Sequence, residues 1–151
     1  MKTEKLRVAT VGLGVGKGHV RALMADAAAE VVAICDALPE RIEVMKKEFG
    51  IEKTYTDYDA MLADKSLKLD AVTIALPNNL HAPFTVKALQ KGLHVLCEKP
   101  MAHDLKSAAR MLQAASKARR TLMIHFNYRF TPQGRFLKHM VEKGTVGKVY
   151  Y

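Results

Sequence analysis

Short runs of consecutive apolar residues alternate along the chain with longer stretches that are apolar only every third or fourth position. The short runs read as buried strands: Leu6 to Val11, Glu30 to Cys35, Ala71 to Leu76, His94 to Cys97 and Thr121 to His125, with Thr54 to Thr56 as a shorter one. The longer stretches read as helices. One runs from Lys17 to about Asp26. A second begins at Pro39 and is stopped by Gly50. Asp57 caps a short third helix through Leu62. Pro83 opens a fourth, which ends at Gly92. Asp104 caps a fifth to about Ala118, with Leu105, Ala108, Ala109, Leu112 and Ala115 as its apolar face. Pro132 to Lys143 forms a last helix before Gly144.

Strands that are apolar throughout, separated by helices, predict a doubly wound parallel sheet covered on both sides: a Rossmann-type α/β fold in three layers. Such a sheet holds its ligand at the carboxyl ends of the strands, where strand order reverses. The residues to read for chemistry are therefore Gly12–His19, Asp36, Pro77–His81, Glu98–Pro100 and His125–Arg129.

Gly12-Leu13-Gly14-Val15-Gly16-Lys17-Gly18-His19 follows the first strand and opens a helix. A pyrophosphate fits against such a backbone. Gly12 permits the tight turn, Gly14 removes a side chain from the phosphates, and the helix offers free N–H groups with Val15 and Gly16 at its start. The spacing departs from G-x-G-x-x-G, since Lys17 stands at the third glycine position. A turn shortened by one residue leaves Gly16 or Gly18 to supply the close helix–strand packing. Asp36 ends the second strand, where an acid accepts from the adenosine ribose hydroxyls and repels a 2′-phosphate. Ala37 and Leu38 offer no arginine, and Arg41 is one helical turn away. NAD is favoured over NADP.

Composition narrows the class further. The chain has 151 residues, 49% hydrophobic and 26% charged, which fits a globular domain with a full core. Cys35 and Cys97 sit at the ends of apolar runs, with no CxxC and no metal-ligand spacing. They read as reduced structural thiols, and no metal site is expected. The first apolar run is too short to span a membrane, so a soluble cytoplasmic protein without a membrane partner is expected. Of the net charge of +9, most falls in residues 101–151, which carry 10 Lys/Arg against 2 Asp/Glu. That asymmetry is also what a nucleic-acid patch would show, but only Lys117, Arg119 and Arg120 cluster. Solvated helix faces account for the rest, and no nucleic-acid partner is expected.

Val95-Leu96-Cys97-Glu98-Lys99-Pro100, with Pro77-Asn78-Asn79-Leu80-His81, resembles the glucose–fructose oxidoreductase/inositol dehydrogenase (Gfo/Idh/MocA) family. The resemblance covers essentially the whole chain. It includes the glycine turn, Asp36, Tyr55-Thr56-Asp57-Tyr58 and Asn127-Tyr128-Arg129-Phe130-Thr131-Pro132. It implies a dinucleotide-binding domain over residues 1–125. Residues 126–151 then begin a larger α+β domain that holds a polyhydroxylated substrate and makes a homo-oligomer. Val146–Tyr151 would lead into that domain's first strand, and the family's catalytic histidine would lie beyond it.

Hydride exchange with an alcohol carbon needs a group that takes the hydroxyl proton. The resemblance gives that role to Lys99, beside the nicotinamide, with Glu98 orienting it. The Lys99–Pro100 bond is a candidate for the cis form. Pro77, Asn78 and His81 are candidate contacts to the cofactor's ribose or pyrophosphate, although turn formation and capping select the same residues. Asn127 and Arg129 are candidates for the nicotinamide side, with a salt bridge as the plainer role for Arg129. His19 reads as packing and His125 as core. The resulting expectation is an NAD(P)-dependent oxidoreductase acting on a sugar- or cyclitol-like hydroxyl carbon. A non-catalytic dinucleotide-binding module or redox sensor, and a family member with eliminative chemistry, stay open beside it.

Overall fold

The computed structural model describes residues 4–150. Met1–Thr3 and Tyr151, the last residue of the segment expected to lead into a second domain, lie outside the described residues.

Six parallel strands form one sheet: β1 (Leu6–Val11), β2 (Ala29–Cys35), β3 (Thr54–Tyr55), β4 (Ala71–Ile74), β5 (His94–Glu98) and β6 (Leu122–His125), in the order β3-β2-β1-β4-β5-β6. Each return passes through a crossover, and the order reverses between β1 and β4. The helices are α1 (Gly16–Ala25), α2 (Pro39–Phe49), α3 (Tyr58–Ala63), α4 (Asn78–Gln90), α5 (Leu105–Ala118) and α6 (Pro132–Glu142). Two cores result, one per face of the sheet. Leu13, Val20, Ile34, Ile42 and Met45 pack under α1 and α2. Tyr58, Met61, Leu89 and Met111 join Val11, Cys35, Val72 and Ile74 under α3, α4 and α5. The only polar pair buried between β1 and β4 closes on itself among the described residues, with Thr73 Oγ1 donating to Thr10 Oγ1 at 3.0 Å.

Two expectations need correcting. α4 begins at Asn78, not at Pro83, which lies inside it. A proline one turn into a helix costs a single backbone hydrogen bond, and the exposed ring of Pro83 lies on the outer face. The apolar face of α5 is rotated from the one the spacing suggests. Met111 is its buried centre, with Ala114, Ala115 and Ala118 packed beside it, while Leu105 and Leu112 face outward. Small alanines let the helix sit close on the sheet, and the larger leucines fall outside the contact. Val146–Tyr150, expected to lead into a strand, is itself irregular. A segment with no neighbour in a sheet has no ladder to join.

Candidate functional site

Gly12 is where β1 leaves the sheet, at φ 85°. Its N–H donates to the Cys35 carbonyl at 2.9 Å. Any Cβ there would strike the Ala75 carbonyl, so the turn requires glycine for both reasons. Gly16 settles the shortened motif: a Cβ on it would meet Thr10 Cγ2 at 3.0 Å and Ala75 Cβ at 3.3 Å, whereas Gly18 faces open space. Gly16 therefore brings α1 onto β1 and β4. The start of α1 carries no side-chain cap at Val15, so its first N–H groups point out over the switch point. Lys17 does not; its Nζ pairs with Glu48 of α2 at 2.5 Å.

Asp36 is nearly covered, at 5% exposure. Its Oδ2 accepts from Leu13 N at 2.7 Å and its Oδ1 from Leu38 N at 2.9 Å. The carboxylate thus ties the end of β2 to the glycine turn. Arg41 Nη1 stands 3.5 Å from Oδ2.

Val15, Asn78, Glu98, Lys99, Asn127 and Tyr128 line a cleft of about 370 Å³ at the carboxyl ends of β1, β4, β5 and β6. The structure thus brings four strand-end segments to one mouth. Lys99 is exposed there, and its bond to Pro100 is cis. Pro77 caps α4 just outside the lining.

Glu98 behaves differently from the expectation. It holds the backbone of Lys99, not its amine: Lys99 N donates to Oε2 at 3.0 Å. Its Oε1 meets His19 Nε2 at 3.0 Å and His125 Nδ1 at 2.7 Å. Burial alone would raise the Glu98 carboxyl, but the hydrogen bonds from His125, His19 and the Lys99 N–H hold it below its ordinary value. Burial pushes the His19 imidazole down, and the bond to Glu98 only partly offsets this. With Nε2 donating, His19 Nδ1 is a buried acceptor that has no partner among the described residues. A second cleft of about 440 Å³, on the α1 side, reaches this cluster from beneath.

Sequence reasoning placed His125 in the core and His19 in packing. Both instead grip Glu98, and His125 is half-buried. The signal was the strand register, since Glu98 and His125 are paired across β5 and β6. The three side chains offer ligand atoms within 4.8 Å of one another, a grouping the sequence spacing did not suggest.

Two further candidates sit elsewhere. His81 is fully buried, with Nδ1 2.7 Å from the Pro100 carbonyl and Nε2 2.8 Å from the Leu76 carbonyl. The buried ring is wedged between the two carbonyls and its N–H donates to one of them, so it joins two loops and presents nothing to a ribose or pyrophosphate. Arg129 lines a separate outer cleft with Phe126, Phe130 and Lys138, away from Lys99. The short 3-10 turn Asn127–Phe130 sends its two ends to different sides: Asn127 inward and Arg129 outward.

A parallel sheet reversing at β1/β4, a glycine turn opening an uncapped helix there and an acid closing β2 define a dinucleotide-binding α/β protein. The chain belongs to the oxidoreductase family with the NAD-binding Rossmann fold, whose family model matches residues 6–126. Myo-inositol 2-dehydrogenase of Thermotoga maritima is 34% identical over 144 residues, covering 95% of this chain and 42% of that protein. D-xylose 1-dehydrogenase (NADP(+)) 2 of Haloferax volcanii is 42% identical over 123 residues, covering 82% and 37%. Among solved structures, scyllo-inositol dehydrogenase of Lactobacillus casei with bound NAD(H) and scyllo-inositol superposes with a TM-score of 0.88 at 28% identity, covering 96% of this chain and 43% of that one. The chain thus spans about two fifths of the length of the relatives it matches.

Proposed function

We propose that this chain is the cofactor-binding part of an NAD(H)-dependent dehydrogenase acting on a hydroxyl-bearing carbon of a sugar or cyclitol. The observation that carries the reading is Lys99, exposed at the mouth where the glycine turn, Asn78, Glu98 and Asn127 converge. The relatives, inositol and sugar dehydrogenases by name, support the substrate class. In this reading residues 1–125 are the dinucleotide domain and residues 126–151 begin a substrate-binding α+β domain that also carries the oligomer contacts. The two free thiols, Cys35 and Cys97, support a cytoplasmic location. No helix among the described residues is long and apolar enough to cross a membrane.

The residues present fit a dinucleotide. Gly12 and Gly16 let the backbone close in, and Gly14 leaves open the space before Arg41. The uncapped start of α1 would receive the pyrophosphate, and Asp36 the adenosine ribose. When bound, the nicotinamide supplies hydride exchange with the substrate carbon. Lys99 Nζ takes the hydroxyl proton in the oxidative direction and returns it in the reductive one. Glu98 Oε2 fixes the Lys99 backbone for that task, and His19 and His125 fix Glu98.

Calorimetric titration tests the cofactor half. The chain is expected to bind NADH, and Asp36→Ala to weaken it by about tenfold or more, the worth of one charged hydrogen bond. A folded sample that binds no NADH overturns the reading. Lys99→Ala, in the enzyme that carries this domain, is expected to lower turnover by roughly 10²–10⁴. Near-normal turnover would remove Lys99 from the chemistry.

A further inference from the structure

Of the two clefts that meet at Glu98, the one on the α1 side plays no part in the dinucleotide reading. It measures about 440 Å³. The chain carries a net charge of +9, yet among the described residues lining this cleft Asp26 and Glu98 are carboxylates and none is Lys or Arg. A cation entering it meets no charge that repels it.

Three ligand atoms converge on this cleft: His19 Nε2, His125 Nδ1 and Glu98 Oε1, all within 4.8 Å of one another. Oε1 is 3.0 Å from the first nitrogen and 2.7 Å from the second. Around a tetrahedral zinc ion, with bonds of about 2.0–2.2 Å, ligand atoms stand roughly 3.3–3.6 Å apart. Each Glu98 pair therefore opens by less than about 1 Å to admit an ion, while the two nitrogens draw together. His125, half-buried at the end of β6, can make that turn. The two rings stand nearly perpendicular, at 82°, so their nitrogens reach Oε1 from different directions.

The fold holds this set in place. Glu98 and His125 are register partners across β5 and β6, so the sheet positions two ligands before any ion arrives. His19 comes from the first turn of α1, which Gly16 lets sit close on the sheet. His19 Nδ1 is buried without a partner among the described residues. Moving the ring proton from Nε2 to Nδ1 therefore forfeits no hydrogen bond at that end, and it frees the Nε2 lone pair for an ion.

We propose that His19, Glu98 and His125 form a binding site for a divalent transition-metal ion of the zinc class, with its fourth position open to water from the α1-side cleft. Two imidazoles and one carboxylate suit such an ion over magnesium or calcium, which take shells of oxygen. Three metal bonds would replace two hydrogen bonds, and Glu98 Oε2 would keep the Lys99 N–H. The inference stands apart from the dinucleotide reading.

The test strips the chain with EDTA, moves it to chelator-free buffer and titrates it with Zn²⁺ by calorimetry and with Co²⁺ by visible absorption. One Zn²⁺ per chain is expected, at a Kd of about 1 μM or tighter. An excess of Mg²⁺ should not displace it, and Co²⁺ should give the strong visible bands of a four-coordinate site. His125→Ala, with its fold checked by circular dichroism, is expected to weaken Zn²⁺ by about a hundredfold or more, beyond what loss of an outer-shell partner costs. The near-isosteric Glu98→Gln should do the same. His103→Ala removes the exposed imidazole beside Asp104 and should change Zn²⁺ binding by less than about threefold. A folded chain that binds no Zn²⁺ overturns the inference. So does binding that survives His125→Ala, or that His103→Ala abolishes, because a surface histidine would then hold the ion. The faint spectrum of octahedral Co²⁺ would overturn it as well.

Discussion

One oxygen of Glu98 meets two imidazole nitrogens while the other holds the Lys99 N–H. Two of these groups titrate at displaced values. Burial first, opposed by the Glu98 bond, holds His19 below its ordinary 6.5. The hydrogen bonds to Glu98 outweigh its burial and hold it below 4.5. A lowered pKa in the fold means that the unfolded chain binds more protons, so stability falls as pH falls. The contribution is complete above about pH 6.5 for His19 and above 4.5 for Glu98, and is lost as pH drops through the lower folded values. Thermal melts between pH 8 and pH 3 should therefore show a falling Tm. Glu98→Gln should lower Tm at neutral pH and flatten the acid limb; a profile merely parallel to wild type would contradict this. The motif showed Glu98 in the sequence, but not its partners. Its grip on His19 spans 79 positions, a closure that only the packing of α1 across the sheet creates.

At the scale of elements, caps and stops were readable because they are local. Pro39 and Gly50 bound α2, with Gly50 in the left-handed region at φ 67°, and Asp104 caps α5 by accepting from Ser107 N at 2.7 Å. The rotation of α5 was not readable, because the expected stripe of Leu105, Ala108, Ala109, Leu112 and Ala115 shares Ala108 and Ala115 with the one that packs around Met111, Ala114 and Ala118. Which stripe is buried is decided by the sheet and α4, not by the helix. Met111, with no exposed surface, should cost about 2–5 kcal/mol when cut to alanine, while Leu112→Ala should cost about 0.5 kcal/mol or less. Urea denaturation of the two variants measures this directly. Similar losses from both would restore the face that the spacing suggested.

For the molecule as a whole, the layer architecture and the switch point followed from apolar runs and their spacing, because a parallel sheet leaves few other arrangements. The surface beyond α5 did not follow. α6 buries no residue, and Phe126, Phe130, Phe136, Leu137 and Val141 are all exposed. An apolar surface of this extent should bind a hydrophobic dye such as ANS in the native state at neutral pH, while Cys35 and Cys97 stay unreactive. Burial pushes those thiols up to about 12 and about 11, so a thiol reagent should label them only as the chain unfolds. Labelling at the rate of a free thiol would show that the sheet opens locally.

The ring of His81 bridges the carbonyls of Leu76 and Pro100, which belong to loops leaving different strands. Such a bridge ties their motions in time as well as in space. Neither loop can swing out without unseating the buried ring that the other packs against, so the two should breathe as one cooperative unit. Amide hydrogen exchange would show this as a shared protection factor across the segments after β4 and β5, splitting into two once His81 is replaced by alanine. The loop that carries Lys99 would then gain a tempo of its own, independent of the loop that leads from β4 into α4.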